Sequence, residues 1–136
     1  MELRDIAPFM LVRDAVDGGW DFGVRFFGSQ LVETLQHDLT GKLLSARYDP
    51  ESFEILRERF AAGLNTDGPI RVVGFIDLVE TRSQKVFEQI NLPLSESGGT
   101  PSHIISVYDF GYELQADDLD PDLPSEVWTH LPFPRE

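Results

Sequence analysis

Over residues 22–44 the hydrophobic period of the chain passes from two to helical and then breaks into a turn, which restricts the fold more than any other stretch. Trp20, Phe22, Val24 and Phe26 alternate with Asp21, Gly23 and Arg25, the pattern of a half-buried strand. Gly28-Ser29 then turns the chain into a short helix in which Leu31 and Leu35 stack one turn apart, with Ser29 as the expected N-cap. Asp38-Leu39-Thr40-Gly41 turns it again.

The flanking segments extend this reading. Ile6 to Val16 reads as an opening strand, with Pro8 tolerated near its start, and Asp17-Gly18-Gly19 reads as a hairpin turn. Asp49-Pro50-Glu51 is a helix start: an N-cap, a proline at the first position and an acid in the first turn. Phe53, Leu56, Phe60 and Leu64 then predict a helix over 50–64, ended by Asn65 and Gly68-Pro69. Three apolar segments follow, Ile70 to Val79, Val86 to Leu94 and His103 to Tyr112. Thr81-Arg82-Ser83-Gln84 and Ser95-Glu96-Ser97-Gly98-Gly99 separate them as hairpin loops would. In the second segment Val86, Ile90, Leu92 and Leu94 share one face, Gln89 and Asn91 lie on the other, and Pro93 implies an edge or a bulge. The predicted fold is α+β: a five-stranded antiparallel sheet with helices on one face, formed by residues 1–114. Residues 115–136 are acidic and proline-rich and are expected to form a linker or extended tail.

Composition removes several classes of function. The chain has 136 residues, enough for one domain with a real core, and its 41% hydrophobic content with 10 Phe, 3 Tyr and 2 Trp fits a packed fold. Without cysteine there are no disulfides, thiolate nucleophiles or cysteine-ligated zinc. A formal charge of −13 opposes binding to nucleic acid or to an anionic membrane surface. No secretory signal and no apolar run of membrane-spanning length is present, so a cytoplasmic location is expected.

Phe26-Phe27-Gly28-Ser29-Gln30-Leu31-Val32-Glu33, then Asp38-Leu39-Thr40-Gly41-Lys42, resembles a bacterial PAS-like subfamily with a Gly-Ser or Gly-Thr turn and an Asp-Leu-Thr-Gly signature. Ile90-Asn91-Leu92-Pro93-Leu94, followed by a glycine-containing loop, is similar to the late hairpin of the same group, and the resemblance covers roughly residues 6–114. It implies a sensor or interaction module with the long helix packed over one sheet face and a ligand space between the two. Flavin-bonding relatives use a cysteine, and haem-binding relatives use a histidine on the long helix. Neither is present here, so no cofactor is expected. Only five residues precede the first predicted strand, so the N-terminal dimerisation helix of many relatives is expected to be missing or to lie outside the chain. No kinase, cyclase or DNA-binding segment is read in the sequence, so signalling is expected to run through a protein partner or through a homodimer formed by sheet faces.

Mapped by motif order, the resemblance assigns the ligand space to Phe26, Leu31, Leu35, Leu39 and Leu43 from the first half. It adds Phe53, Leu56 and Phe60 from the long helix and Phe75, Ile90 and Ile105 from the later strands. Arg71, Gln89, Asn91 and His103 would orient a ligand. The same apolar residues are also what a filled core requires.

No catalytic or metal array stands out. His37, His103 and His130 lack metal-ligand spacing, and His37 is expected to cap the short helix. The paired glycines are turns rather than phosphate loops, and Ser29 lacks a nucleophile-elbow setting. Trp128, Leu131 and Phe133 in the tail either fold back onto the sheet or dock on a partner. The expected function is a non-enzymatic signalling module that binds a small apolar ligand or a protein partner. The alternatives are an interaction protein with a filled core or a small α+β enzyme.

Overall fold

A computed structural model describes residues 2–66, 68–78, 83–119 and 125–131. The helices are α1 (Leu3–Ile6), α2 (Ser29–Leu35), α3 (Leu44–Arg47) and α4 (Pro50–Leu64), with 3-10 turns at Ala7–Phe9 and Ala116–Leu119. The strands are β1 (Met10–Val16), β2 (Asp21–Phe27), β3 (Ile70–Leu78), β4 (Ser83–Leu94), β5 (His103–Asp109) and β6 (Ser125–Leu131). They form one sheet in the order β2-β1-β5-β4-β3-β6. The first five strands pair antiparallel throughout, while β6 joins β3 in parallel. The sheet therefore has six strands where five were predicted. The segment 125–131, expected to be extended tail, lies along the β3 edge.

Helix boundaries follow from capping. Asp49 accepts a hydrogen bond from the Ser52 backbone N–H at 3.0 Å, and Pro50 opens α4 as predicted. The opening strand begins at Met10 instead of Ile6, because residues 2–9 form two helical turns that place Pro8 ahead of the sheet. In α2 the N-cap is Gly28, and Ser29 occupies the first helical position with no side-chain cap. Gly28 is set by crowding: a β-carbon there would lie 2.3 Å from the Pro8 carbonyl oxygen. The Gly28 N–H also donates to the Met10 carbonyl at 2.8 Å, tying the start of α2 to the start of β1.

The helices cover one face of the sheet, with α4 across β4 and β5 and α3 against β2. Phe22 meets Phe60 of α4 edge-on at 5.7 Å between ring centroids. Phe87 lies over Gly74 on the neighbouring strand, where a β-carbon would fall 2.2 Å from the ring. Along β4 the buried residues are Phe87, Gln89 and Asn91, whereas Ile90 and Leu94 are exposed. The polar side of this strand, not the aliphatic side, thus faces the helices.

A bulge reverses the expected alternation in β2. Val12 pairs with Phe26 but Arg13 pairs with Val24, so Arg25 is an extra residue and the parity of the strand flips beyond it. Phe22 and Val24 are buried as the alternation predicts, but beyond the bulge Phe27 is buried and Phe26 exposed, while Trp20, exposed, lies in the turn before β2. The predicted loop residues Thr81 and Arg82, and the side chains of Trp128, His130, Leu131 and Phe133, lie outside the described residues.

Candidate functional site

Between the covered sheet face and the helices the core contains a cavity of about 60 Å³. The sheet contributes Leu11 and Arg13 from β1, Val24 and Phe27 from β2, and Ile76 and Tyr108 from β3 and β5. Leu31 and Leu35 of α2, Leu44 of α3, Leu39 and Tyr48 of the connecting segments, and Leu56 and Phe60 of α4 form the opposite wall, with Phe110 beside it. Phe110 stacks on Tyr108 at 5.4 Å with 13° between the ring planes.

The Asp38-Leu39-Thr40-Gly41 turn is what delivers Leu39 to this wall. Asp38 Oδ1 accepts from the Thr40 N–H at 3.0 Å and from the Thr40 hydroxyl at 2.7 Å, closing a local turn. These bonds hold the Asp38 carboxyl below its ordinary pKa, the Thr40 hydroxyl contributing most. The Gly41 N–H donates to the Val24 carbonyl at 2.7 Å, and the Val24 N–H donates to the Lys42 carbonyl at 2.9 Å. The turn is thereby clipped to the outer edge of β2, and Leu39 is buried against the core.

One charged side chain lies in this wall. Arg13 is 1% exposed and its guanidinium stands over the Phe60 ring, 3.9 Å from the centroid. Its Nη2 donates to the Ser106 hydroxyl and, at a longer 3.4 Å, to Asn91 Oδ1. Asn91 Oδ1 also accepts from the Ser106 hydroxyl and from Gln89 Nε2, the latter at 2.8 Å. Arg13 Nε and Nη1 and Gln89 Oε1 are buried with no hydrogen-bond partner among the described residues. Desolvation lowers the Arg13 pKa from the ordinary arginine value to about 10, opposed by Tyr108 and Tyr48, and at that value the group is cationic at neutral pH. Burial pushes both phenols upward and keeps them protonated.

The structure brings together some of the sequence-predicted residues and separates the rest. Leu31, Leu35, Leu39, Leu56 and Phe60 line the cavity. Gln89 and Asn91 are buried on the same sheet face, in the polar row behind Arg13. Phe53 packs at the margin of the core without reaching the cavity. Phe26, Leu43 and Ile90 are more than 40% exposed, Phe26 through the bulge and Ile90 through the inverted parity of β4. Phe75 and Ile105 alternate with the buried Ile76 and Ile104 and so lie on the face away from the helices, which is open at β5 but closed at β3 around the fully buried Val73.

His103 also occupies the uncovered face, with Nδ1 2.7 Å from Asp14 and Nε2 3.1 Å from Glu96. Arg71 is committed there too: it donates to Glu88 at 2.7 Å, Asp118 at 2.9 Å and the Tyr112 hydroxyl at 2.7 Å. These contacts tie the 3-10 turn at 116–119 to β3. His37, just beyond α2, meets Arg47 through Nδ1 at 3.0 Å.

Sequence reasoning missed the whole sheet side of the cavity, Arg13 and Tyr108 included, together with Leu44, Tyr48 and Phe110. The one available signal was the i, i+2 series Leu11-Arg13-Ala15, which places a lone cation among apolar residues on a single strand face. Among the described residues no three side chains converge as metal ligands, and no helix is long and apolar enough to cross a membrane. No protein-family model and no curated protein matches the chain.

Proposed function

We propose that the chain is a PAS-type sensory module that takes up a small molecule between its sheet and helices and relays occupancy through a second copy or another protein. The observation that carries this reading is the cavity itself: a mostly apolar hollow in the middle of the core, with few converging polar groups, is the usual form of a small-molecule site. The element order supports it as well, since two strands, short helices, a long helix and three antiparallel strands are what the resemblance implies. The turn motif has a specific task in such a site, because it carries one wall of the cavity.

The uncovered sheet face supplies the second half of the proposal. Phe26, Val12, Ile105 and Leu92 are paired in register across β2, β1, β5 and β4, forming an apolar row transverse to the strands. Met10, Val107 and Ile90 make a second row beside it. Phe26, Ile90 and Leu94 on this face are each more than 40% exposed, a composition suited to pairing with another apolar sheet. Homodimerisation through this face is the favoured assembly.

Native mass spectrometry of freshly purified protein, set beside its denatured spectrum, tests both halves. An added mass lost on denaturation, carried by a dimer, is the expected result. A dimer that never carries added mass, even after incubation with a fragment library, would leave an interaction module with a closed core in place of a sensor.

A further inference from the structure

Building on the reading that the cavity receives a ligand, we infer that the ligand is a short-chain monocarboxylate whose head group meets Arg13. The argument begins with charge. A buried guanidinium is normally matched by a carboxylate, because an unpaired ion in a low-dielectric interior loses hydration without recovering it. Arg13 is 1% exposed, yet no acidic side chain pairs with it among the described residues. Its polar neighbours Ser106, Asn91 and Gln89 are all neutral, and the hydrogen bonds it makes come from a single nitrogen. Two further nitrogens remain as donors. Arg13 itself lines the cavity, so an anion entering that space can reach the group that lacks a counter-ion.

Size and polarity define the rest of the molecule. A cavity of about 60 Å³ holds roughly four to six water-sized units, which corresponds to a carboxylate with two to four carbons in total. The walls opposite Arg13 are Leu31, Leu35, Leu39 and Leu56, which suit an alkyl body and offer nothing to a second charge. Tyr48 and Tyr108 border the same space and remain protonated, so neither repels an anion. A dicarboxylate would bury a second charge against leucines, and a cation would face Arg13 directly.

The test compares isosteres on the intact chain. Butyrate, propionate, butyramide, butylamine and octanoate are titrated at constant ionic strength against sodium chloride, and binding is read from backbone amide shifts and from the melting temperature. The expected result is saturable shifts at cavity residues with butyrate or propionate, an affinity for butyramide weaker by roughly ten- to a hundredfold, and no response to butylamine. Arg13→Met should abolish the preference for acid over amide, while Arg13→Lys should keep it in weaker form. Because the acid and amide are compared on the unaltered protein, the proposal stays testable even if a variant fails to fold. Equal binding of butyramide and butyrate would overturn the carboxylate assignment and leave the sensor reading standing. Equal binding of chloride would reduce the site to a general anion site and overturn it as well. Octanoate binding in preference to butyrate would overturn the size limit. Failure of every compound to bind, together with no co-purified mass, would remove the ligand-binding reading itself.

Discussion

Arg13 carries an energetic cost that its neighbours only partly offset. The fall of its pKa from the ordinary arginine value to about 10 corresponds to roughly 3 kcal/mol disfavouring the charged folded state. For a cation whose folded pKa is depressed, this penalty is fully present below the folded value and fades as the pH rises toward the unfolded one. Arg13→Met, close in length and apolar, is therefore expected to stabilise the ligand-free chain by about 1–3 kcal/mol in urea denaturation at neutral pH. A loss of stability instead would mean that the hydrogen bonds to Ser106 and Asn91 outweigh desolvation. Gly28 gives the opposite case. The Pro8 carbonyl leaves no space for a β-carbon, so Gly28→Ala is expected to cost about 2 kcal/mol or more and to lower the urea midpoint. An unchanged midpoint would show that residues 2–9 can move aside.

At the scale of elements, capping gives a smaller and cleaner prediction. Asp49→Ala removes the side-chain acceptor of Ser52 at the start of α4 and should cost about 1 kcal/mol, read as a shift in urea midpoint with an unchanged slope. This helix was legible beforehand because cap, proline and apolar spacing agree locally. The β1–β2 hairpin was legible for the same reason. What could not be read locally depends on pairing at a distance. The extra residue at Arg25 is defined only by its register against β1, and it exchanges Phe27 for Phe26 in the core. On β4 the sequence reading put Ile90 of one face and Gln89 and Asn91 of the other at the same site, because the choice between the two faces rests on the bonds of Asn91 to Arg13 and Ser106, on other strands. The sheet side of the cavity wall was missed for the same reason, since pairing across strands decides which faces of β1, β2, β3 and β5 turn inward. The parallel addition of β6 to β3 likewise has no local signature in a segment rich in acids and prolines.

The whole molecule carries a formal charge of −13, and self-repulsion opposes both its compact state and its pairing with a copy. Added salt is therefore expected to raise the melting temperature at pH 7 and to strengthen dimerisation. A dimer that weakens with salt in sedimentation velocity would point to charged contacts in place of the apolar rows. Acid should act in two stages. Lowering the pH toward the pI of about 4.4 relieves repulsion. Against this, Asp38, Asp49, Glu54 and Asp118 are held below their ordinary pKa, chiefly by bonds from Thr40, Ser52, Arg57 and Tyr112 respectively. Their stabilisation is present above the unfolded carboxylate values and is lost as the pH falls through the lower folded ones. Stability is expected to peak at about pH 5 to 6 and to drop steeply below about pH 4 in thermal melts. A continuous rise down to pH 3 would show that repulsion outweighs these native bonds.

The pairing of β1 with β5 also governs when the chain can fold as it leaves the ribosome. Met10 to Asp14, near the beginning of the chain, lie against His103 to Val107, near its end, in the middle of the sheet. Two hairpins, β1–β2 and β3–β4, are complete early, but each exposes a free edge until β5 emerges between them. The cavity cannot close before that moment, because Tyr108 and Phe110 belong to its wall. Nascent chains stalled before residue 103 should accordingly be captured by chaperones or aggregate, while those released beyond residue 119 should reach a protease-resistant state.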